Sequence, residues 1–249
     1  MRSGSFLAGL VMAASGASAA CTGHGTGPEP GVKIWSCSKP GVLALAYDDG
    51  PHIYTSDLVD ILDAAGAKGT FFFTGTLYGC IYNQAAAVKK AFKSGHQIAS
   101  HTWTHPALSG LDEAGIRSEI TQLEDALVNI IGKKPAYIRP PYLDTAGQTL
   151  PVLKAMGYKV VNDDVDSEDW NGKTPAESEA KFIAAGATGN GHIPLMHEPY
   201  NSTVHELTPW LINWAKENKL KLVTVAECLG DAGGAYQKGD FQPNGKNTC

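Results

Sequence analysis

The amino-acid sequence predicts an α/β fold, a distorted (β/α) barrel of about seven parallel strands that forms a single domain. Seven apolar or β-branched runs alternate with six helical stretches, which implies parallel strands joined by right-handed crossovers. A doubly wound sheet would satisfy the same alternation. The barrel is favoured because clusters of polar residues directly follow the strands, where such barrels place their functional sites.

The predicted strands are short and mostly apolar, as expected for strands that are covered on both faces. The clearest helix is residues 112–131, where isoleucine and leucine recur at helical spacing and Gly132 follows as a stop signal. Residues 56–65 and 203–219 have the same kind of apolar stripe, which indicates core packing. The predicted strands are residues 42–47, 69–74, 96–100, 136–139, 158–161, 193–196 and 220–225.

The composition argues against one large class of partner. The chain of 249 residues carries a formal charge of -5 at pH 7, from 20 Lys and Arg residues against 25 Asp and Glu residues. Proteins that bind nucleic acid usually show a basic patch or stripe, and none is visible in this sequence. We therefore expect no nucleic-acid partner, and we expect a monomer.

The first residues have the features of an export signal. Arg2 supplies a positive charge, residues 6–14 form a short apolar run, and residues 17–19 form a small-residue cleavage site. The apolar run is too short to span a bilayer. We interpret residues 1–19 as a secretion signal peptide and expect an extracellular or cell-wall location, with no membrane partner.

The remaining chain is predicted to contain one folded domain between two irregular ends. Residues 20–40 are rich in Gly and Pro and form an irregular N-terminal lead-in, and residues 231–249 form a polar C-terminal extension. The domain itself is assigned to residues 41–230. Asn201 begins the one N-glycosylation sequon, which is usable if a eukaryotic cell secretes the protein.

The cysteine pattern is compatible with disulfide bonds, which export makes permissible. None of the five cysteines has a C-x-x-C spacing, so a zinc site built from cysteines is disfavoured. Their odd number leaves at least one thiol free or paired outside the chain, and spacing alone does not define the connectivity. The cysteines are Cys21, Cys37, Cys80, Cys228 and Cys249.

An acidic pair, Asp48 and Asp49, ends the first predicted strand and is followed by Gly50 and Pro51. Adjacent carboxylates repel each other and tend to titrate apart, so one can bind a cation while the other takes a proton. A surface turn is the alternative interpretation, because Asp, Gly and Pro are common turn residues. The choice depends on whether other segments supply partners for a metal and a proton.

Two histidines, His101 and His105, follow the third predicted strand at a spacing of four residues. This spacing would place both imidazoles on one face of a helical turn, close enough to bind one cation. Together with Asp49 they make three protein ligands with open positions, which is typical of catalytic zinc sites. The same set of ligands also describes non-haem iron.

Further polar segments follow the fourth, fifth and sixth predicted strands. Arg139 precedes two prolines, which lack N–H donors and leave the N–H of Tyr142 free; a plain loop is the alternative. The acidic segment 163–170 lacks the glycine and terminal glutamate of an EF-hand loop. His197 alone would be read as a packing residue. A hydrogen bond from His197 to Asp169 would raise the histidine pKa and allow it to act as an acid near neutral pH.

Taken in order, five motifs resemble those of the polysaccharide deacetylases, carbohydrate esterase family four, and are closest to those of its fungal chitin deacetylases. The motifs are AYDDGP, HTWTH, RPPY, DVDSEDW and LMHE. The resemblance runs from about residue 42 to residue 230. Each motif alone is weak, but five in the same order argue against chance agreement.

The resemblance implies a general base and a metal site in the first two motifs. Asp48 is similar to the family's general base, and Arg139 would orient it. Asp49, His101 and His105 are similar to its three metal ligands. Zn²⁺ is the usual metal of the family, with Co²⁺ or another divalent transition metal as alternatives.

The resemblance also assigns roles in the later motifs. His197 resembles the family's general acid, tuned by Asp169. Tyr142 would contribute a backbone N–H to an oxyanion hole and help to hold the sugar. Leu195 and Trp170 would line the pocket for the acetyl methyl group.

Two other features are interpreted through the same resemblance. Cys37 and Cys228 resemble a pair that ties the lead-in of the first strand to the end of the last strand, while the pairing of the other cysteines stays open. The chain departs from the family at Ala46 and Tyr47, where Thr-Phe is usual, so the hydroxyl of Tyr47 needs a partner.

The implied function is a secreted, metal-dependent chitin deacetylase that hydrolyses the N-acetyl group of chitin or chitooligosaccharides and releases acetate and glucosamine units. An acetylxylan esterase or a peptidoglycan deacetylase on the same scaffold are alternatives. An iron oxygenase would use the same ligands, but its usual jelly-roll scaffold disagrees with the strand–helix alternation. A non-catalytic carbohydrate-binding relative ranks last, because every motif position is filled.

Overall fold

The computed structural model describes Met1, residues 27–231 and residues 233–249. The predicted signal peptide, apart from Met1, and Cys21 lie outside these residues. The described chain folds into one α/β domain, which confirms the predicted fold class. Within the described ranges, no helix combines the length and the apolar character that crossing a membrane requires.

The domain is built around a curled, parallel sheet that forms a half-barrel. The strands are, in chain order, β1 (Lys33–Ile34), β2 (Val42–Leu43), β3 (Ala46–Asp48), β4 (Thr70–Phe73), β5 (Gln97–Ser100), β6 (Tyr137–Ile138), β7 (Lys159–Val161), β8 (Val165–Asp166), β9 (Pro194–His197) and β10 (Lys221–Leu222). Eight of them form the main sheet in the order β1-β7-β6-β5-β4-β3-β9-β8, while β2 and β10 pair separately. Because the strands are parallel, their carboxyl ends lie along one edge.

The strand prediction differs from the structure in two ways. The predicted run 42–47 is divided between β2 and β3, and the run 220–225 keeps only β10 before a short helix starts at Val225. In addition, β1 lies in the lead-in that was interpreted as irregular, and β8 lies in the acidic segment, for which no strand was predicted. Both have two residues, and a two-residue strand is too short to show an alternating pattern in the sequence.

Seven α-helices connect or follow the strands in the described part of the chain. In α3 the side chain of Asp112 accepts the N–H of Gly115 at 2.8 Å, and Gly132 ends the helix in the left-handed conformation. The predicted helix 203–219 begins with a π-type turn at Thr203–Leu207. The helices are α1 (Thr55–Ala64), α2 (Ala85–Lys93), α3 (Glu113–Ile131), α4 (Thr149–Ala155), α5 (Pro175–Ala185), α6 (Thr208–Glu217) and α7 (Val225–Cys228).

Successive residues around β3 pack on opposite faces of the sheet. Leu45 and Tyr47 belong to the core cluster that contains residues of α1, α2, α3 and α6, whereas Ala44 and Ala46 pack in the second cluster with residues of α7. This division follows from the alternation of side chains along a strand. The hydroxyl of Tyr47 lies 3.0 Å from the Thr208 hydroxyl, so the departure from the family motif has a buried hydrogen-bond partner.

Two disulfide bonds join the ends of the chain to the domain. Cys37 is bonded to Cys228, the pair that the resemblance implies, and Cys80 is bonded to Cys249. The second bond attaches the C-terminal extension to the loop between β4 and α2. Along its path this extension contacts α3, where Asn129 Oδ1 accepts the N–H of Asn244 at 2.9 Å.

Candidate active site

A cleft of about 350 Å³ lies at the carboxyl ends of the strands. Parallel strands of successive βα units bring their terminal loops to one edge, so residues far apart in sequence meet there. Every motif contributes at least one side chain to the walls. The lining residues are Asp48, Asp49, His101, His105, Pro140, Tyr142, Leu143, Asp166, Trp170, Leu195 and His197.

Three potential metal ligands converge at the base of this cleft. Asp49 Oδ1 lies 3.4 Å from His101 Nε2 and 3.3 Å from His105 Nε2, and the two nitrogen atoms are 3.2 Å apart. A tetrahedron of ligands about 2.0–2.1 Å from a central ion has edges of about 3.3–3.4 Å, so these spacings fit a zinc-sized ion. Asp49 Oδ1 is also buried without a hydrogen-bond partner among the described residues, which suits a cation.

The protonation of the two imidazoles also favours metal binding. The Nδ1 atom of His101 lies 2.5 Å from the carbonyl oxygen of Arg139. Because a carbonyl only accepts, Nδ1 carries the hydrogen and the lone pair of Nε2 faces Asp49. Burial is the largest cause that lowers the pKa of His105, to about 4, so its imidazole is neutral at pH 7.

The segment between these histidines is a loop, whereas the sequence indicated a helical turn. Thr102 and His105 have φ values of 72° and 63°, and the N–H of His105 donates to Thr102 Oγ1 at 3.1 Å. The prediction of the helical turn was therefore wrong, although both imidazoles still meet. They meet because two left-handed residues fold the loop back on itself.

Left-handed residues other than glycine are concentrated around the cleft. L-amino acids rarely adopt this conformation, and where they do, the surrounding structure holds them in place. Six of the seven such residues in the described ranges follow β3, β5, β6 or β8. The seven are Asp49, Thr102, His105, Tyr142, Leu143, Glu168 and Lys219.

The second carboxylate of the acidic pair has a different partner. Asp48 Oδ1 accepts a hydrogen bond from the guanidinium group of Arg139 at 2.8 Å, inside the protein. Arg139 is completely buried and also donates to the carbonyl oxygens of Asn162 and Pro194, at 2.9 and 3.2 Å. These bonds fix the guanidinium, which in turn fixes Asp48 and leaves its Oδ2 without a hydrogen bond from any described residue.

His197, at the end of β9, is held by a buried carboxylate. Its Nδ1 lies 2.7 Å from Asp169 Oδ1, and its backbone N–H donates to Asp169 Oδ2 at 2.7 Å. Thr203 donates its hydroxyl to the same Oδ2 at 2.7 Å. Burial alone would lower the histidine pKa, but the hydrogen bond and charge of Asp169, with Asp48 and Asp49, raise it to about 9. The imidazole is therefore protonated at neutral pH.

Comparison with known proteins identifies the family. The polysaccharide deacetylase family matches residues 36–161. A chitin deacetylase of Pestalotiopsis sp. is 43% identical over 210 residues, covering 84% of this chain and 70% of that protein. The chain belongs to the polysaccharide deacetylase family. The prediction of a hydrolase from the sequence motifs is confirmed.

Two further comparisons support the same family and fold. A probable peptidoglycan-N-acetylglucosamine deacetylase of Arthroderma benhamiae is 41% identical, covering 81% of this chain and 47% of that protein. The chitin deacetylase structure from Colletotrichum lindemuthianum superimposes with a TM-score of 0.81 at 35% identity, covering 84% of this chain and 97% of that one. The predicted resemblance to family four is thereby confirmed.

The remaining predicted residues of this polysaccharide deacetylase line the walls of the cleft. Tyr142 is 72% exposed, and its backbone N–H has no hydrogen-bond partner in the part of the chain described. Leu195 is buried, while Trp170 is half-exposed. The indole N–H of Trp170 is 3.3 Å from both oxygens of Asp166. Sequence analysis missed Asp166 as an individual site residue, because it lies among five acids without a distinguishing signal.

A second residue that the sequence did not assign is Glu198, directly after the candidate acid. Glu198 accepts the N–H of His52 at 3.2 Å and a short hydrogen bond from the Thr55 hydroxyl. A side chain at Gly50 would collide with this carboxylate, since a Cβ there would lie 2.1 Å from Glu198 Oε1. Burial raises the pKa of Glu198 to about 8. It therefore holds the loop after the acidic pair as a neutral acid at pH 7.

Proposed function

We propose that this protein is a secreted, metal-dependent chitin deacetylase, which hydrolyses the N-acetyl groups of chitin or chitooligosaccharides to release acetate and glucosamine units. The observation that carries the proposal is that the two adjacent aspartates have different partners. Asp49 lies with two imidazoles, whereas Asp48 is paired with Arg139 beside them. Relatives named as chitin deacetylases, such as the one from Pestalotiopsis sp., support the choice of substrate.

Asp49, His101 and His105 would hold the metal. Two imidazoles and a carboxylate suit Zn²⁺ first, and Co²⁺ or another divalent transition metal as well. Once bound, such an ion lowers the pKa of water and polarises a carbonyl group. The three residues would supply it with two imidazole nitrogen lone pairs and one negative charge.

Asp48 is the proposed general base. Its Oδ1 is paired with Arg139, so the orientation of the carboxylate is fixed while Oδ2 is free to accept a proton. Asp48 removes the proton from the water that attacks the acetyl carbonyl carbon. Arg139 does not contact the substrate in this assignment; it positions the base. General-base catalysis by a positioned carboxylate typically contributes about 10²–10⁴-fold.

The opposite wall completes the proposed reaction. The backbone N–H of Tyr142 donates to the oxyanion of the tetrahedral intermediate, a contribution of about 3 kcal/mol for one such donor. His197 is held through Nδ1 by Asp169, so its Nε2 can donate a proton to the amine nitrogen as the C–N bond breaks. Leu195 and Trp170 enclose the acetyl methyl group, and Tyr142 and Trp170 offer rings to the sugar.

The substrate is tested by acetate release from a defined chitooligosaccharide series, from acetylxylan and from peptidoglycan amino sugars, each with and without a chelator. We expect the fastest release from chitooligosaccharides and its loss with the chelator. Mass spectrometry of the products would map which units are deacetylated. Faster release from acetylxylan, or release that survives complete removal of metal, would contradict the proposal.

The ligand assignment is tested separately from catalysis. His101→Ala should lose bound metal and activity together, because one of three ligands is gone. His192→Ala is a matched control, since His192 hydrogen-bonds Asp164 away from the cleft. An active His101→Ala variant that contains no metal would refute the assignment.

A peptidoglycan deacetylase is the second candidate. The Arthroderma benhamiae relative bears that name, as a probable function, at 41% identity. The same cleft chemistry applies to both, because each substrate presents an N-acetylated glucosamine unit. The substrate panel decides between them, and preferential release from peptidoglycan fragments would favour this candidate.

Secretion and glycosylation remain part of the proposal. Two disulfide bonds are consistent with an extracellular or cell-wall location, and the side chain of Asn201 is exposed. Asn201 lies four residues after His197, so a glycan there would border the cleft. Mass spectrometry of protein secreted from a eukaryotic host would give the mature N-terminus and the occupancy of Asn201, and gel filtration would test the expected monomer.

A further inference from the structure

The carboxylate of Glu119 contacts the segment between the two histidines of the candidate metal site. Glu119 lies on α3, outside the five motifs. Its Oε2 accepts the backbone N–H groups of Trp103 at 2.9 Å and Thr104 at 2.8 Å. Its Oε1 accepts the Thr104 hydroxyl at 2.7 Å. One side chain therefore satisfies three donors within the loop that separates His101 from His105.

This loop needs such a partner because it is neither helix nor strand. Thr102 and His105 are both left-handed, which prevents a regular backbone ladder. The N–H groups of Trp103 and Thr104 have no backbone acceptor among the described residues. A partly buried N–H group such as that of Trp103 normally finds an acceptor, and here the acceptor is the carboxylate of Glu119, which also accepts the more exposed N–H of Thr104.

The other side of the loop is held by the residues that follow β4. The N–H groups of Gly75 and Thr76 both donate to the carbonyl oxygen of Trp103, at 2.9 Å. The indole of Trp103 lies against Gly75, where a Cβ would come within 1.9 Å of the ring. The loop is thus held on one side by Gly75 and Thr76 and on the other side by Glu119.

The helix that carries Glu119 is a rigid support. Its start is capped by Asp112, and its residues Ile116, Ile120 and Leu123 are completely buried in the core. A carboxylate projecting from this helix has a defined position, because the backbone below it cannot shift without opening the core. Three hydrogen bonds to Glu119 therefore hold the loop in a fixed position relative to this helix.

The geometry points to Glu119 as a positioning residue of the metal site, which holds the loop so that His101 and His105 present their Nε2 atoms to the same ion. The inference rests on the proposed metal-dependent function. Without Glu119 the loop keeps the Trp103 carbonyl contacts and the Thr102–His105 hydrogen bond, but Thr104, directly before His105, loses its anchor. The metal site should then become less well ordered, while the fold persists.

The test compares Glu119→Ala and Glu119→Gln with the control Glu113→Gln. Glu113 lies on the same helix and is exposed, with Arg117 as its ion-pair partner, so it controls for loss of a charge on α3. Zn²⁺ affinity is measured by chelator competition, and the geometry of the site by the absorption spectrum of the Co²⁺ form. Urea unfolding of the metal-free proteins reports the stability of the fold alone.

We expect Glu119→Ala to weaken Zn²⁺ binding by about 10–100-fold, the usual range when a residue that orients metal ligands is lost. Its Co²⁺ spectrum should change as well. Glu119→Gln should restore much of the affinity, because its amide oxygen still accepts the two N–H groups. Glu113→Gln should match the wild type in both measurements.

Three outcomes would overturn the inference, and they are distinguishable. If Glu119→Ala binds Zn²⁺ with wild-type affinity and spectrum, Glu119 only joins the loop to the helix. If the wild type itself binds neither ion, the metal-dependent function fails and this inference fails with it. If Glu119→Ala does not fold, Thr104→Val decides instead, because it removes only the third hydrogen bond: wild-type Zn²⁺ affinity together with a wild-type Co²⁺ spectrum would also refute the role.

Discussion

The two ends of the parallel sheet each contain a buried histidine next to an aspartate, but the two histidines are in opposite protonation states. At the carboxyl ends, the contact with Asp169 raises the pKa of His197 to about 9 despite burial. At the amino ends, burial lowers the pKa of His96 to about 4. The charge of Asp63 opposes this lowering only in part, since its Oδ1 is 3.5 Å from His96 Nε2. A carboxylate overcomes burial when it is itself buried and within hydrogen-bond distance.

Two of the unsatisfied buried atoms, one at each end of the sheet, differ in kind. At the carboxyl end Asp49 Oδ1 is a buried acceptor without a described donor, which suits a cation. At the amino end a second cavity of about 230 Å³ is lined partly by Gln97, whose Nε2 is a buried donor without a described acceptor. Such a donor suits a neutral hydrogen-bond acceptor. Burial of an unpaired polar atom therefore does not by itself indicate a metal site. The atom must also be an acceptor, which can bind a cation, whereas a donor cannot.

The largest expected effect is on catalysis at the carboxyl end. Asp48→Asn should reduce kcat by about 10²–10⁴-fold, because the amide cannot take a proton, while bound metal is retained. Acetate release and metal analysis of the same sample would measure both. Asp63→Asn at the amino end is the matched control and should keep its kcat. Full activity of Asp48→Asn would remove the proposed general base.

The next effect is on stability. Arg139→Met should lower the free energy of unfolding by about 3–5 kcal/mol, because Asp48 and two carbonyl groups lose a buried charged partner. Urea unfolding measures this loss. The double variant Asp48→Asn/Arg139→Met should lose less than the sum of the two single variants, since the unpaired charge is then absent. Strict additivity would show that the pair is not coupled.

The third prediction concerns the pH dependence of catalysis. His197 must be protonated to act as an acid, so kcat/KM should fall as the pH rises through about 9. Asp169→Asn removes the contact that raises the pKa and should move this alkaline limb down by about 2 pH units or more. A pH profile of kcat/KM for both proteins measures the shift. An unmoved limb in the variant would exclude His197 as the titrating acid.

The smallest effect should appear in stability at acid pH. The folded pKa of His96 is lowered from 6.5 to about 4, so its stabilising contribution is complete above pH 6.5 and is lost as the pH falls towards 4. The loss amounts to about 3 kcal/mol. Because the pKa of His197 is raised, its contribution has the opposite window: it is complete below pH 6.5 and is lost as the pH rises through 9.

Urea unfolding of the wild type and of His96→Asn, at pH 7 and at pH 4.5, isolates the contribution of His96 to the free energy of unfolding. His96→Asn should be less stable than the wild type at pH 7, because the ring no longer fills its site. The difference between the two proteins should shrink at pH 4.5, since the variant has no imidazole to protonate. A constant difference at both pH values would show that His96 titrates normally in the folded protein.

The sequence predicted the residues of the cleft better than the path of the chain between them. Strand ends in a parallel sheet converge, so Asp49, His101 and His105 could be expected together from their places after strands. The loop conformation between the histidines could not be predicted, because it depends on left-handed residues and on Glu119, sixteen residues from Trp103.

Contacts between segments that are distant in sequence could not be predicted from the sequence either. The strand β1 exists because β7 offers it a parallel partner, and its two residues have no pattern of their own. The pairing of Cys80 with Cys249 depends on the route of the C-terminal extension, which its polar composition does not reveal. Composition and periodicity report local preference, whereas these features depend on what the rest of the fold brings nearby.

The two disulfide bonds have a topological consequence for cleavage by proteases. Cys80 lies inside the loop closed by Cys37 and Cys228, while its partner Cys249 lies outside, so the two closed loops interlock along the sequence. A single cut anywhere between Cys37 and Cys249 leaves both fragments covalently attached. A nicked molecule should therefore migrate as one chain on a non-reducing gel and as two after reduction.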